Sequence, residues 1–170
     1  ACETGESGDE LEGLVVDFVD HLTGKQTIYQ MIRLAEEVEK RGGKPLEPLA
    51  YKMEYNDRLT PVAEERKARV VAGEDAPDTL MVPGARTLLE ELRSRGVKLS
   101  LASGTDVEFV KSEAEVLEIA ALFDGGIFGA LANYRDFSKA RVIAQIMTMH
   151  RLRGEEVLIV GDGYVEIMNA

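Results

Sequence analysis

The chain has one cysteine, Cys2, so no disulfide can form within it, and a reducing, cytoplasmic setting is expected. Cationic residues are also scarce: 20 Lys and Arg stand against 31 Asp and Glu, a formal net charge of -11. That balance disfavours nonspecific nucleic-acid binding and adhesion to anionic membranes, because both need a positive surface. No apolar run approaches the roughly 18–20 residues of a membrane span. The acidic N-terminal stretch has the wrong sign for a signal or transit peptide. Internal repeats and low-complexity tracts are missing as well. What is present is 170 residues, 45% hydrophobic and 30% charged, the profile of a soluble globular chain. Its length suits one ordinary domain, or a small core plus an accessory one.

The first part reads as helical. Residues 1–9 are small and polar and are expected to form a loose end. Leu11, Leu14, Val15, Phe18 and Leu22 then recur at helical spacing. Thr23-Gly24-Lys25-Gln26 predicts a capping box, with Thr23 as N-cap and Gln26 reaching back. The helix it opens should stop at Gly42-Gly43. Two more helices are predicted, from Pro48 to about Arg58 and from Pro61 to near Gly73. The all-helical unit is placed at residues 1–78 and a second unit at 79–170.

The second unit alternates. A helix over 85–95 precedes an apolar strand candidate, Val97 to Ala102, which leads into Ser103-Gly104-Thr105. A helix over 106–117, a short strand at 126–128 and a helix over 138–150 follow. The strand Val157-Leu158-Ile159-Val160 then empties into Gly161-Asp162-Gly163. Strands alternating with helices of this length predict an α/β fold with a parallel sheet.

In such sheets ligands bind at the carboxyl ends of the strands, and three polar features fall there or nearby. The Ser103 hydroxyl, with the amides of Gly104 and Thr105, suits a phosphate oxygen near a helix start; a helix-capping serine is the plainer alternative. Asp162, with Glu166 four residues on, offers oxygen ligands suited to Mg²⁺, and an ordinary turn aspartate is the other reading. Lys139 opens a helix, where the macrodipole slightly disfavours a cation. It is suited to offsetting a phosphate or an aspartate, or it is a solvated surface lysine.

Taken in order, these features resemble the haloacid dehalogenase-like (HAD) hydrolase superfamily. The second motif matches Leu99-Ser100-Leu101-Ala102-Ser103-Gly104, the third Lys139 within residues 138–143, and the fourth Gly161-Asp162-Gly163-Tyr164-Val165-Glu166. The helical part resembles the inserted cap of phosphoglycolate phosphatase-like members. The resemblance implies a Rossmannoid parallel-sheet core and a Mg²⁺-dependent phosphatase acting on a small phosphorylated metabolite through an aspartyl-phosphate. Ser103, Gly104 and Lys139 would bind phosphate, Ser103 and Lys139 would be catalytic, and Asp162 and Glu166 would hold the metal. A sugar phosphomutase, and a binding module that keeps the fold without a nucleophile, stay open as alternatives.

The family's first motif, an apolar strand followed by Asp-x-Asp-Gly, supplies its nucleophile, and these residues contain no such motif. The nearest imitation, at residues 14–20, spaces Asp17 and Asp20 by three positions, so in an extended segment they would face opposite sides. A cap helix explains that stretch better. The missing strand would lie between those ending at Ala102 and Val160, leaving buried backbone groups unpaired. The chain is therefore expected to be part of a longer protein, without turnover by itself. Thr23, Lys25 and Gln26 are explained by capping. Tyr51, Tyr55 and Arg58 are expected in the core or between cap and core, and His21 and His150 as structural.

Overall fold

A computed structural model describes residues 4–131 and 133–161. Helix α1 (Gly8–Leu22) starts earlier than its apolar pattern. Ser7 and Glu10 form the capping box: the Glu10 N–H donates to Ser7 Oγ and the Ser7 N–H donates to Glu10 Oε2 at 2.7 Å. The expected box at Thr23 and Gln26 is not formed. Thr23 instead ends α1, donating from Oγ1 to the Val19 carbonyl at 3.1 Å. Gly24, at φ +86°, takes the left-handed turn that L side chains resist. Helix α2 (Thr27–Lys40) follows, with Gln26 as its N-cap but no side-chain cap bond.

The Gly42-Gly43 pair does end α2, through N–H donation to Glu39 and Val38 carbonyls at 3.0 Å each. Helix α3 (Pro48–Val71) then runs unbroken for 24 residues, where two helices were predicted. Pro61 removes one helical N–H donor, at the cost of an orphaned carbonyl on exposed Asp57, where water can serve. Packing against α2 outweighs that loss.

Glu37, on the buried face of α2, is only 7% exposed. Its carboxylate meets Lys40 at 2.9 Å, Arg33 at 2.6 Å and Arg41, which also grips Glu6. The Lys40 hydrogen bond, then that of Arg41, hold the Glu37 carboxyl below its usual range against the opposing effect of burial. A depressed carboxyl stabilises the fold above its unfolded pKa, about 4.3, and that contribution disappears as pH falls through the lower folded value. Glu37→Gln should cost about 2 kcal/mol at neutral pH, a melting point about 4–8 °C lower. The variant should also lack the acid-dependent part of the parent's loss. Parent melting curves that are identical at pH 7 and pH 3.5 would count against this.

A single 3-10 turn (Pro77–Leu80) leads to helix α4 (Ala85–Ser94). The strand predicted from Val97 begins later, as β1 (Leu101–Asp106). The reason is local: Asp124 accepts from the Leu99 N–H at 3.1 Å, and Gly125 donates to the Leu99 carbonyl at 2.7 Å. Leu99 is thus tied to a turn and not to a ladder. Helix α5 (Val107–Val116) follows β1, and strand β2 (Ile127–Ala130) pairs parallel to it. Leu101 lies opposite Ile127, Ala102 opposite Phe128 and Asp106 opposite Ala130. Three residues of β1, Ser103-Gly104-Thr105, therefore stand against Gly129 alone, which makes a bulge. A Cβ on Gly129 would come within 2.5 Å of the Val107 Cα and 2.7 Å of the Thr105 carbonyl oxygen, so the bulge needs glycine beneath it.

Helix α6 (Lys139–His150) packs on β1. Ala130, Phe137 and Val142 form a buried cluster with Ala102, Phe128 and Ile146 against it. The predicted strand at 157–160 is not part of a ladder among the described residues; Leu158 is 87% exposed and Val160 77%. An apolar strand is held by a neighbouring strand and a covering layer, and the two-stranded sheet supplies neither to it.

Candidate functional site

Ser103 lies in the β1 bulge, half-buried, and its Oγ accepts the Thr105 N–H at 3.2 Å. Helix α5 has Asp106 as its N-cap, so Ser103 is not the helix-capping serine of the plainer reading. With its lone pair engaged by Thr105, the Ser103 hydroxyl retains a proton to donate, while the Thr105 amide is already used.

Lys139 is the first residue of α6 and half-buried. Ser138 caps that helix, accepting the Arg141 N–H at 3.2 Å. Ala102, which adjoins Ser103, packs against the buried cluster that includes Phe137, two residues before Lys139. Asp162 and Glu166 lie outside the described residues. Among the described residues, no group of three His, Cys, Asp or Glu is placed to hold a metal ion.

The turn between α1 and α2 reaches both halves of this region. A Cβ on Gly104 would sit 2.6 Å from the Lys25 carbonyl oxygen and 3.1 Å from the Gln26 nitrogen. Gln26, 5% exposed, donates from Nε2 to the carbonyls of Tyr134 and Phe137 at 2.9 and 2.8 Å. Tyr29 packs edge-on against Tyr134 at 5.9 Å. The Gln26 Oε1 is buried with no donor among the described residues. Two such bonds contribute about 0.5–1.5 kcal/mol each, and an orphaned buried acceptor costs about 1–3 kcal/mol, so the residue is close to neutral for stability.

Sequence reasoning passed over Gln26 because a capping role already explained it. The Tyr51, Tyr55 and Arg58 expectation is also corrected. The Tyr51 hydroxyl accepts from the Leu46 N–H, Tyr55 is exposed, and Arg58 pairs with Glu54 on its own helix. Polar side-chain contacts from α3 to the α/β part come from Lys52, whose Nζ lies 2.6 Å from Asp106 Oδ1, and from Lys67, 3.3 Å from Ser112 Oγ. No local pattern marks either lysine in advance. Asp17 is on helix α1, 69% exposed and 3.6 Å from His21, so it does not stand at the end of a strand.

A cavity of about 560 Å³ lies elsewhere, between the end of α3 and the end of α5, and a smaller one of about 140 Å³ is lined by Phe128, Gly129, Phe137, Ser138 and Arg141 at the start of α6. Asp75, Glu115 and Glu118 line the larger one beside Val70, Val71 and Pro77, the wrong sign for a phosphate.

The order of these elements, with Ser103 on a strand bulge and Lys139 opening the later helix, meets an independent finding. The model for haloacid dehalogenase-like hydrolases matches residues 10–168. The chain belongs to that family. No curated protein and no solved structure matches it. For a haloacid dehalogenase-like hydrolase the small parallel sheet with helices against it is the core, and hydrolysis is the class of reaction. In this hydrolase, no helix among the described residues is long and apolar enough to cross a membrane.

Proposed function

We propose that this hydrolase cleaves phosphate from a small phosphorylated metabolite in the cytoplasm. In this reading, helices α1–α3 are the cap of a phosphoglycolate phosphatase-like member and residues 79–170 are its α/β core. The observation that carries it is the bulge: Ser103 is one of three β1 residues opposite Gly129 alone, and Ala102 before it packs on the cluster that includes Phe137, two residues before Lys139. A hydroxyl donor on a strand and an ammonium at a helix start suit a phosphate's oxygens.

The hard oxygen pair of Asp162 and Glu166 fits Mg²⁺ in donor chemistry, and those two residues would hold it. When bound, the ion would offset phosphate charge. Ser103 would donate to a non-bridging oxygen, and Lys139 would balance the charge of phosphate and nucleophile. A carboxylate nucleophile would attack phosphorus as the bond to the leaving oxygen breaks, and water would then hydrolyse the aspartyl-phosphate, releasing inorganic phosphate and restoring the carboxylate. The net charge of -11 supports a free small molecule over nucleic acid or a membrane as the partner.

The absence of Asp-x-Asp-Gly from the 170 residues favours a second reading, a phosphate-binding module without turnover. A screen of phosphate monoesters on the full gene product with Mg²⁺, alongside titration with inorganic phosphate, separates the two. Turnover lost in Asp162→Ala supports the enzyme. Phosphate binding without turnover, weakened about tenfold in Lys139→Ala through loss of a charged contact, supports the module. Neither turnover nor phosphate binding overturns both.

A further inference from the structure

We propose that Gln26 is a positioning residue that seats the α1–α2 turn on the core and, in the same motion, sets the segment before Lys139 against the Ser103 bulge. This rests on the phosphate-site reading above. Three observations meet at this one residue. Its amide donates to two carbonyls, those of Tyr134 and Phe137, within the segment that leads into α6. Its backbone, with that of Lys25, is in close approach to Gly104 on the other side. Its Oε1 is left buried without a donor among the described residues.

A methionine would fill a similar volume without leaving that oxygen orphaned. The two donors are what only an amide provides here, and both are directed at the loop that carries Lys139. Nothing else in the turn reaches that loop with a side-chain hydrogen bond among the described residues. The consequence is a coupling. When the turn lifts, Gly104 loses its neighbour and residues 134–137 lose their anchor together, so the two phosphate-facing groups are set only while the helical layer is seated. Lys52 with Asp106 is a second tether across the same boundary, but it holds the end of β1 and does not touch the loop before Lys139.

The test compares Gln26→Met and Gln26→Glu with the parent, using the full gene product, Mg²⁺ and inorganic phosphate. Gln26→Met should melt close to the parent, yet bind phosphate about tenfold more weakly and show faster amide exchange over residues 134–141. Gln26→Glu should be weaker still at neutral pH, because a carboxylate faces two carbonyl oxygens. Its affinity relative to the parent at each pH should recover as pH falls through the carboxyl range, where the protonated acid regains one donor. Equal phosphate affinity and equal exchange in parent and Gln26→Met would overturn the positioning role while leaving the phosphate site standing. A parent that binds no phosphate would overturn the site, and this role with it.

Discussion

Incubated with Mg²⁺ and phosphate monoesters, the 170-residue chain is expected to release no phosphate above the uncatalysed background, and Asp17→Asn should change nothing. Covalent phosphoryl transfer divides a slow step into two faster ones only when a carboxylate is fixed in line with phosphorus. No Asp-x-Asp-Gly stands among these residues. Its nearest imitation is on α1, where Asp17 is 69% exposed beside His21. A solvated carboxylate on a helix surface has neither the fixed direction nor the water-poor surroundings that catalysis by positioning requires. Loss of a nucleophile costs on the order of 10⁴- to 10⁶-fold in turnover, which brings an enzyme near background. Circular dichroism of the same sample shows whether the chain is folded. Robust turnover that vanishes in Asp17→Asn would reverse the assignment of α1.

Gly104→Val should lower stability by about 3 kcal/mol, the upper end for overpacking, which corresponds to a melting point about 6–12 °C lower. The obstruction is backbone: a Cβ there meets the Lys25 carbonyl oxygen at 2.6 Å, its carbon at 2.9 Å and the Gln26 nitrogen at 3.1 Å. Backbone atoms cannot rotate away as a flexible side chain would, so the α1–α2 turn must lift from the bulge. Gly104→Ala should show the same direction at smaller size. Two other glycines serve as controls, since nothing lies within 4 Å of a Cβ at Gly13 or Gly154. Gly13→Ala, inside α1, should raise stability by up to about 1 kcal/mol, and Gly154→Ala should be near neutral. An unchanged melting point in Gly104→Val would mean that the turn does not rest on the bulge.

These two expectations concern parts of the molecule that were unequally legible. The helical first part was readable because its apolar residues repeat at 3.6-residue spacing and its Gly42-Gly43 stop is local. The helix-strand alternation from Ala85 to His150 was readable from helical repeats and short apolar runs, whereas the strand expected at 157–160 joins no ladder among the described residues. The break predicted at Pro61 failed because a proline removes only one donor, and tertiary packing along α3 holds the helix through it. The capping box at Thr23 failed because Gln26 found better partners 108 and 111 residues away, and no local pattern carries that information.

The sequence by itself determined the class of fold, the order of Ser103 and Lys139 along it, and the absence of the nucleophile motif, since these depend on composition, periodicity and short-range spacing. Only the tertiary structure decided that Ser103 sits in a bulge over Gly129, that Lys52 meets Asp106, and that Gln26 joins the helical layer to the loop before Lys139. Each of those depends on what stands across from a residue in space, and hydrogen-bond partners and close backbone approach are set by packing between distant segments.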